Sequence, residues 1–257
     1  MMKDLTVIKI GGKLLDDEVA WKIAMDNFSK IKGAKILVHG GGKIASDLCQ
    51  KLGIETRMIE GRRITDQAAL EIATMVYAGL LNKQLVSYLQ SLGDNAMGFS
   101  GADGNLILSA KRPVAEIDFG FVGDVKKINT SLITSLLDKE IVPVFCAITH
   151  NGQGQLLNTN ADTIASVLAT NLANQYQTTL KFCFEKAGVL SDPSDDTSVF
   201  PILSKKNYLQ QRDDGVISAG MIPKLDNAFA AKSARVDKVI VCGINGIHQL
   251  KGTEICL

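Results

Sequence analysis

Two glycine clusters hold the residue types best suited to gripping an anion. Lys9-Ile10-Gly11-Gly12 closes one short apolar stretch, and His39-Gly40-Gly41-Gly42 closes another. Each comes directly before a segment of helical periodicity. There, consecutive backbone N–H groups can converge on phosphate oxygens, and the helix that follows adds the positive end of its dipole. Neither cluster fits G-x-x-x-x-G-K-[ST] or G-x-G-x-x-G, so P-loop and dinucleotide-binding readings lose weight. Glycines after a strand also make ordinary tight turns, but three in succession each cost roughly 0.5–1 kcal/mol of backbone entropy relative to Ala. Further on, Asn158-Thr159-Asn160-Ala161-Asp162 opens a helix with two amides and a carboxylate, more than one N-cap uses. Ala219-Gly220-Met221-Ile222-Pro223-Lys224 enters another helix, with proline where a first turn tolerates it. Lys224 then sits where a cation opposes the helix dipole, a placement that calls for a functional reason.

The elements that must position these residues alternate. Residues 6–10, 35–38, 141–148, 179–184 and 238–242 read as buried strands, and 18–31, 43–52, 66–92, 131–138, 162–172 and 223–234 carry apolar residues at helical spacing. That rhythm predicts an α/β fold with a mostly parallel sheet covered on both faces. Residues 94–129 break it with Gly, Asp and Asn between short strand pieces, which read as hairpins added at a sheet edge. A soft boundary near 171–178 predicts two lobes, 1–174 and 175–257, and 190–199 reads as a loop.

With 257 residues, 46% of them hydrophobic, the chain can bury a substantial core. Lys and Arg total 28 against 27 Asp and Glu, so the net charge of +1 offers no footprint for nucleic acid or an anionic membrane. A small-molecule partner is expected. The longest apolar run, 141–148, contains Pro143 and falls far short of the ~20 residues of a membrane span. Cysteines 49, 146, 183, 242 and 256 are odd in number with no zinc spacing and no C-x-x-C. They read as buried thiols of a cytoplasmic protein.

Taken in order, Lys9-x-Gly11-Gly12, His39-Gly40-Gly41-Gly42, Gly61-Arg62-Arg63-Ile64-Thr65, Ser100-Gly101-x-Asp103-Gly104, Asn158-x-Asn160-Ala161-Asp162, Gly220-Met221-x-x-Lys224 and Gly252-Thr253-x-Ile255 resemble the acylglutamate-phosphorylating branch of the amino acid kinase family. The resemblance runs over nearly the whole chain. It implies ATP-dependent phosphorylation of the γ-carboxylate of N-acetyl- or N-succinyl-L-glutamate in arginine biosynthesis, with Mg²⁺ carried in on the ATP phosphates and no dedicated metal cage. It implies a three-layer α/β/α sandwich with a mostly parallel central sheet, an N-terminal lobe, 1–174, for the acylglutamate and for dimerisation, and a C-terminal lobe, 175–257, for ATP. By the same resemblance Lys9 and Lys224 flank the transferring phosphoryl group, with Asp162 mediating between them. Gly41 and Gly42 offer N–H groups to phosphoryl and substrate, Arg63 pairs with a substrate carboxylate, and Asn158 binds the other polar end. Gly11, Gly12, Glu185, Gly188 and Gly220 fall to the nucleotide.

Two departures stand out. Where the family carries a hydroxyl residue and then Asp, this chain has Phe184-Glu185, so Glu185 is the candidate stand-in for the Asp. Arg62 takes a position that is usually apolar, which leaves either a solvated charge or a cation for an extra carboxylate, as in N-succinylglutamate. Arginine-inhibited members carry an N-terminal helix that builds a hexamer. This chain opens almost at its first strand, so a homodimer without arginine feedback is expected. The rival readings are a non-catalytic sensor of the same fold, another family member with a different carboxylate or carbamate substrate, and an esterase. The last would use Ser100 as nucleophile, but Ser100 lacks the long helix that a nucleophile elbow needs.

Overall fold

The computed structural model describes residues 2–257 apart from Glu60, Gly61, Ser218 and Ala219, and apart from the side chain of Arg62. β1 (Lys3–Ile10) leads through α1 (Gly12–Leu15) to α2 (Glu18–Ser29), β2 (Ala34–His39) and α3 (Gly42–Lys51). A hairpin of β3 (Arg57–Ile59) and β4 (Arg62–Ile64) precedes α4 (Gln67–Thr74), a π-helical stretch (Met75–Leu81) and α5 (Asn82–Ser91). Then come β5 (Ala96–Phe99), β6 (Ile107–Lys111), β7 (Gly123–Ile128), α6 (Thr130–Asp138), β8 (Val142–Cys146), β9 (Ile148–His150), β10 (Leu156–Asn158) and α7 (Ala161–Leu172). The chain closes with β11 (Tyr176–Cys183), β12 (Ile202–Ser204), α8 (Lys205–Asp213), α9 (Ile222–Ser233), β13 (Lys238–Cys242) and β14 (Thr253–Cys256).

The chain divides into two compact units, Met1–Lys35 with Ala165–Leu257, and Ile36–Ile164. This differs from the division expected at residue 174. β1 pairs in parallel with β11 along its whole length, from Lys3↔Tyr176 to Ile10↔Cys183, so the N-terminal strand belongs with the C-terminal residues. In that unit β11 also pairs in parallel with β13, β14 runs antiparallel to β13, and β12 lies on the outer side of β14. Val7, Ile8, Lys9 and Ile10 are buried in succession. Successive strand residues face opposite sides, so both faces of the sheet are covered.

In the Ile36–Ile164 unit, β8 runs parallel to both β2 and β5, and all of Val142–Cys146 is buried. This also makes a layered sheet with covered faces, as expected. Of the pieces within 94–129, β5 stands at a sheet edge beside β8, but β6 and β7 are not edge additions. β6 and β7 join β9 and β10 in a separate four-stranded sheet, because β6 finds a second, parallel partner in β9. The expected helix at 66–92 is interrupted. The Asn82 N–H reaches back to Tyr77 O, five residues away, in a widened turn.

Candidate functional site

The Gly40-Gly41-Gly42 turn follows β2 and starts α3. Gly41 has φ +151°, and a Cβ placed there would lie 2.2 Å from Leu81 Cδ1 and 3.1 Å from Tyr77 Cδ1. The π-helical turn therefore presses on the backbone at a position where only hydrogen fits. A Cβ on Gly42 would meet nothing closer than Tyr77 Oη at 3.8 Å and Arg63 Nη2 at 3.9 Å, so packing does not require that glycine. Among the described residues no side chain caps α3, and the Ala45 N–H closes on Gly41 O at 3.1 Å. A helix start of this kind can offer backbone N–H groups to an anionic acceptor.

Arg63 is buried on β4 and aimed at this turn. Its Nη2 donates to Gly42 O and to Ser46 Oγ, each at 2.6 Å, and Ser46 Oγ in turn donates to Gly42 O at 2.9 Å. Arg63 Nη1 is buried with no hydrogen-bond partner among the described residues. A guanidinium offers its donors as a planar fork, so one arm is fixed by the protein and the other is poised for an anion. Burial raises the Tyr77 phenol above its ordinary pKa, partly offset by the Arg63 charge beside it, so the phenol stays a neutral hydrogen-bonding group.

Asn158, on β10, donates from Nδ2 to Thr65 Oγ1 at 3.0 Å, and Thr65 Oγ1 donates to Arg63 O at 3.2 Å. The fully buried Thr65 links the two residues assigned to the acylated amino acid. Asn160 acts as the cap of α7: its Oδ1 accepts from Asp162 N at 2.7 Å and Thr163 N at 3.1 Å. Asn158, three residues before the helix, is spent on Thr65 rather than on the cap. Asp162 is buried in the first turn of α7, and Ala161 Cβ would stand 3.9 Å from a Cβ on Gly40, so this helix start lies against the glycine turn.

In the other unit Lys9 is buried near the end of β1, in register with Phe182. The expectation that Gly11 offers its N–H to phosphate does not hold, because that N–H continues the sheet ladder to Cys183 O at 2.9 Å. Gly12 begins the short α1. Phe184, at the position expected to carry a hydroxyl, is buried, and its N–H donates to Cys242 O at 3.0 Å. Glu185 pairs with Lys13 at 3.3 Å on the surface. Gly188 is demanded by packing, since a Cβ would fall 2.5 Å from Val199 Cγ1 and 2.7 Å from Thr253 Oγ1. Gly220 has open space around it. Lys224 is half-buried in the first turn of α9, where Pro223 also sits. Arg62 is assigned only by its backbone in β4, and its side chain lies outside the described residues.

Three groups escaped sequence reasoning. Tyr77 and Ser46 sit inside amphipathic stretches that read as plain helix. Asn82 is tied to His39 across 43 residues. Lys181 is buried on β11, and its ammonium donates to Gly246 O, Ile247 O and Gln249 O at 3.1, 2.8 and 2.7 Å, pinning the loop between β13 and β14. A buried lysine in an apolar strand was the available signal. No cluster of three or more His, Cys, Asp or Glu that could hold a metal occurs among the described residues. No described helix is long and apolar enough to cross a membrane.

A layered, mostly parallel sheet with glycine turns after its strands, and with Lys9, Arg63, Asn158, Asp162 and Lys224 in the family's order, defines a class. The chain belongs to the amino acid kinase family, which matches it over residues 4–243. Within that family it is similar to acetylglutamate kinase. The acetylglutamate kinase of Parabacteroides distasonis is 51% identical over 257 residues, covering 99% of this chain and 100% of that protein. Among solved structures, smu.665 from Streptococcus mutans UA159 is 25% identical with TM-score 0.79, each chain covered to 98%. Carbamate kinase from Giardia lamblia bound to AMP-PNP shares the fold, with TM-score 0.72 at 15% identity and 98% of each chain covered.

Proposed function

We propose that this chain transfers the γ-phosphoryl group of ATP to the side-chain carboxylate of N-acetyl-L-glutamate, the first-phosphorylation type of step in arginine biosynthesis. The observation that carries this reading is the divided Arg63 guanidinium. Its Nη2 is held on Gly42 O and Ser46 Oγ, while its buried Nη1 has no partner among the described residues. An anionic acceptor with a planar carboxylate fits that arm. The full-length likeness to the Parabacteroides enzyme supplies the acyl group.

A carboxylate oxygen attacks the γ-phosphorus, the bond to the bridging oxygen breaks, and ADP leaves with the electron pair. The acceptor is already ionised at neutral pH, so the reaction needs no general base. What remains is placement of the reactants and stabilisation of charge on the equatorial oxygens. In this reading Arg63 and Asn158 orient the acylated amino acid, and the Gly41 and Gly42 N–H groups receive developing charge. By the family resemblance, Lys9 and Lys224 are assigned to neutralising the phosphoryl group and Asp162 to the mediating carboxylate. Mg²⁺ would be held by the ATP phosphates rather than by a cluster of carboxylates among the described residues, and would supply charge neutralisation for the transferring phosphoryl group. Glu185, Gly12 and Gly220 are assigned to the nucleotide.

The same reading makes the protein a cytoplasmic homodimer. The exposure of Met75 and Leu80, 56% and 51%, is compatible with that assembly. Light scattering gives the mass directly.

Calorimetric titration tests the acceptor assignment. N-acetyl-L-glutamate is expected to bind the wild type and to bind Arg63→Lys at least about tenfold more weakly, because an ammonium cannot reproduce the fork. Equal affinity in the two proteins would refute it.

A further inference from the structure

His39 ends β2 immediately before the glycine turn and is fully buried, yet it has no assigned part in the reaction. Both of its ring nitrogens are engaged. Nδ1 lies 2.9 Å from Gly40 O, and Nε2 lies 3.1 Å from Asn82 Nδ2. A carbonyl oxygen only accepts, so Nδ1 carries the hydrogen and Nε2 presents its lone pair to the amide. The Asn82 amide cannot be reversed without loss. Its Nδ2 also donates to Val144 O at 2.9 Å, and its Oδ1 accepts from Lys83 Nζ at 3.2 Å. The whole relay lies within the Ile36–Ile164 unit.

The Gly40–Gly41 peptide is trans, as the described chain has no cis peptide bond. In a trans peptide the C=O of one residue and the N–H of the next lie in one plane and point opposite ways. Anchoring Gly40 O on the imidazole therefore directs the Gly41 N–H away from it. Between two glycines no side chain resists rotation of that peptide, so an external anchor has to do so.

We propose that His39 and Asn82 are positioning residues for the phosphoryl transfer. Asn82 selects the Nδ1–H tautomer of His39, and His39 holds the Gly40 carbonyl so that the Gly41 N–H is presented to charge developing in the reaction. This rests on the kinase reading given above. Burial, the largest cause, lowers the His39 pKa to about 4, so the ring is neutral at the pH of the reaction. Catalysis by prearranged N–H donors depends on their orientation before charge develops, which is where a misdirected peptide is costly.

The test combines spectroscopy with a pair of substitutions. In ¹⁵N-histidine-labelled wild type, the His39 nitrogens are expected to report the Nδ1–H tautomer, and Asn82→Ser is expected to move them away from it. An amide nitrogen in His39→Asn falls near Nδ1, whereas in His39→Gln it falls near Nε2. His39→Asn should accordingly keep kcat within about tenfold of wild type, and His39→Gln should lose roughly 100-fold, with both KM values within about threefold. An Nε2–H tautomer in the wild type, unmoved signals in Asn82→Ser, or equal kcat losses in the two His39 variants would each overturn the proposal. Absence of turnover in the wild type would instead defeat the kinase reading, with the tautomer still deciding the geometry.

Discussion

Arg63 is bound to the backbone it helps to shape: its Nη2 lies 2.6 Å from the carbonyl oxygen of Gly42. The contact locks the guanidinium to the glycine turn, so a ligand that engages the remaining Nη1 is placed relative to the N–H groups of that turn. Arg63→Ala should raise the KM for the acylated amino acid by about 100-fold, the effect of losing a buried, charged hydrogen-bonding partner, while the KM for ATP changes little. Steady-state kinetics with each substrate varied in turn would show it. A parallel rise in both KM values would contradict the assignment.

Gly41 and Gly42 should behave differently when changed to alanine. Gly41→Ala drives a methyl into Leu81 at a φ of +151° and is expected to cost about 2–4 kcal/mol of stability. Gly42→Ala meets only ordinary contacts and should unfold within a few degrees of wild type. Its methyl nevertheless enters the space beside Tyr77 Oη and Arg63 Nη2, so affinity for the acylated amino acid should fall. Thermal unfolding and acceptor binding, measured on both variants, separate the two effects.

His39 gives a pH prediction with a definite sign. Its pKa is lowered from 6.5 to about 4 by burial, with Lys83 also lowering it and the Gly40 hydrogen bond raising it. Between those values the unfolded chain binds a proton that the folded chain refuses. The stability associated with neutral His39 is therefore fully present above about pH 6.5 and is lost as pH falls toward 4, roughly 3 kcal/mol in all. Urea midpoints of wild type and His39→Asn at pH 7 and pH 4.5 should converge at the lower pH. A constant difference would show that the ring charges without penalty.

Lys181→Met removes a buried charge but leaves three carbonyls, Gly246, Ile247 and Gln249, without their donor. A loss of about 2–4 kcal/mol is expected, because buried acceptors keep their desolvation cost when the partner is removed. Hydrogen exchange should rise first in the segment between β13 and β14. Exchange rates unchanged from wild type there would refute the pinning role.

Much of the site was legible because glycines follow β-branched runs, and because the motifs holding Arg63, Asn158 and Asp162 lie within a few residues of their strand or helix ends. Long-range partnerships were not. The pairing of β1 with β11 joins residues more than half the chain apart, and no local pattern records it, so the expected boundary at 174 fell elsewhere. The widened turn at Met75–Leu81 keeps apolar residues at nearly helical spacing, which hides the wedge of Tyr77 and Leu81 against Gly41. Gly11 read as a phosphate donor because its type and place suited that role, but a neighbouring strand takes its N–H. Gly188 likewise owes its identity to Val199 and Thr253.

The central claim, phosphorylation of a carboxylate, is tested most directly by trapping the product with hydroxylamine, which converts an acyl phosphate to a hydroxamate. Wild-type protein with MgATP and N-acetyl-L-glutamate should yield hydroxamate in step with ADP release, with N-succinyl-L-glutamate run alongside to read the influence of Arg62, and Lys224→Ala should lower the yield by at least about 100-fold. ADP release without hydroxamate, or no turnover of either compound by folded protein, would contradict the account.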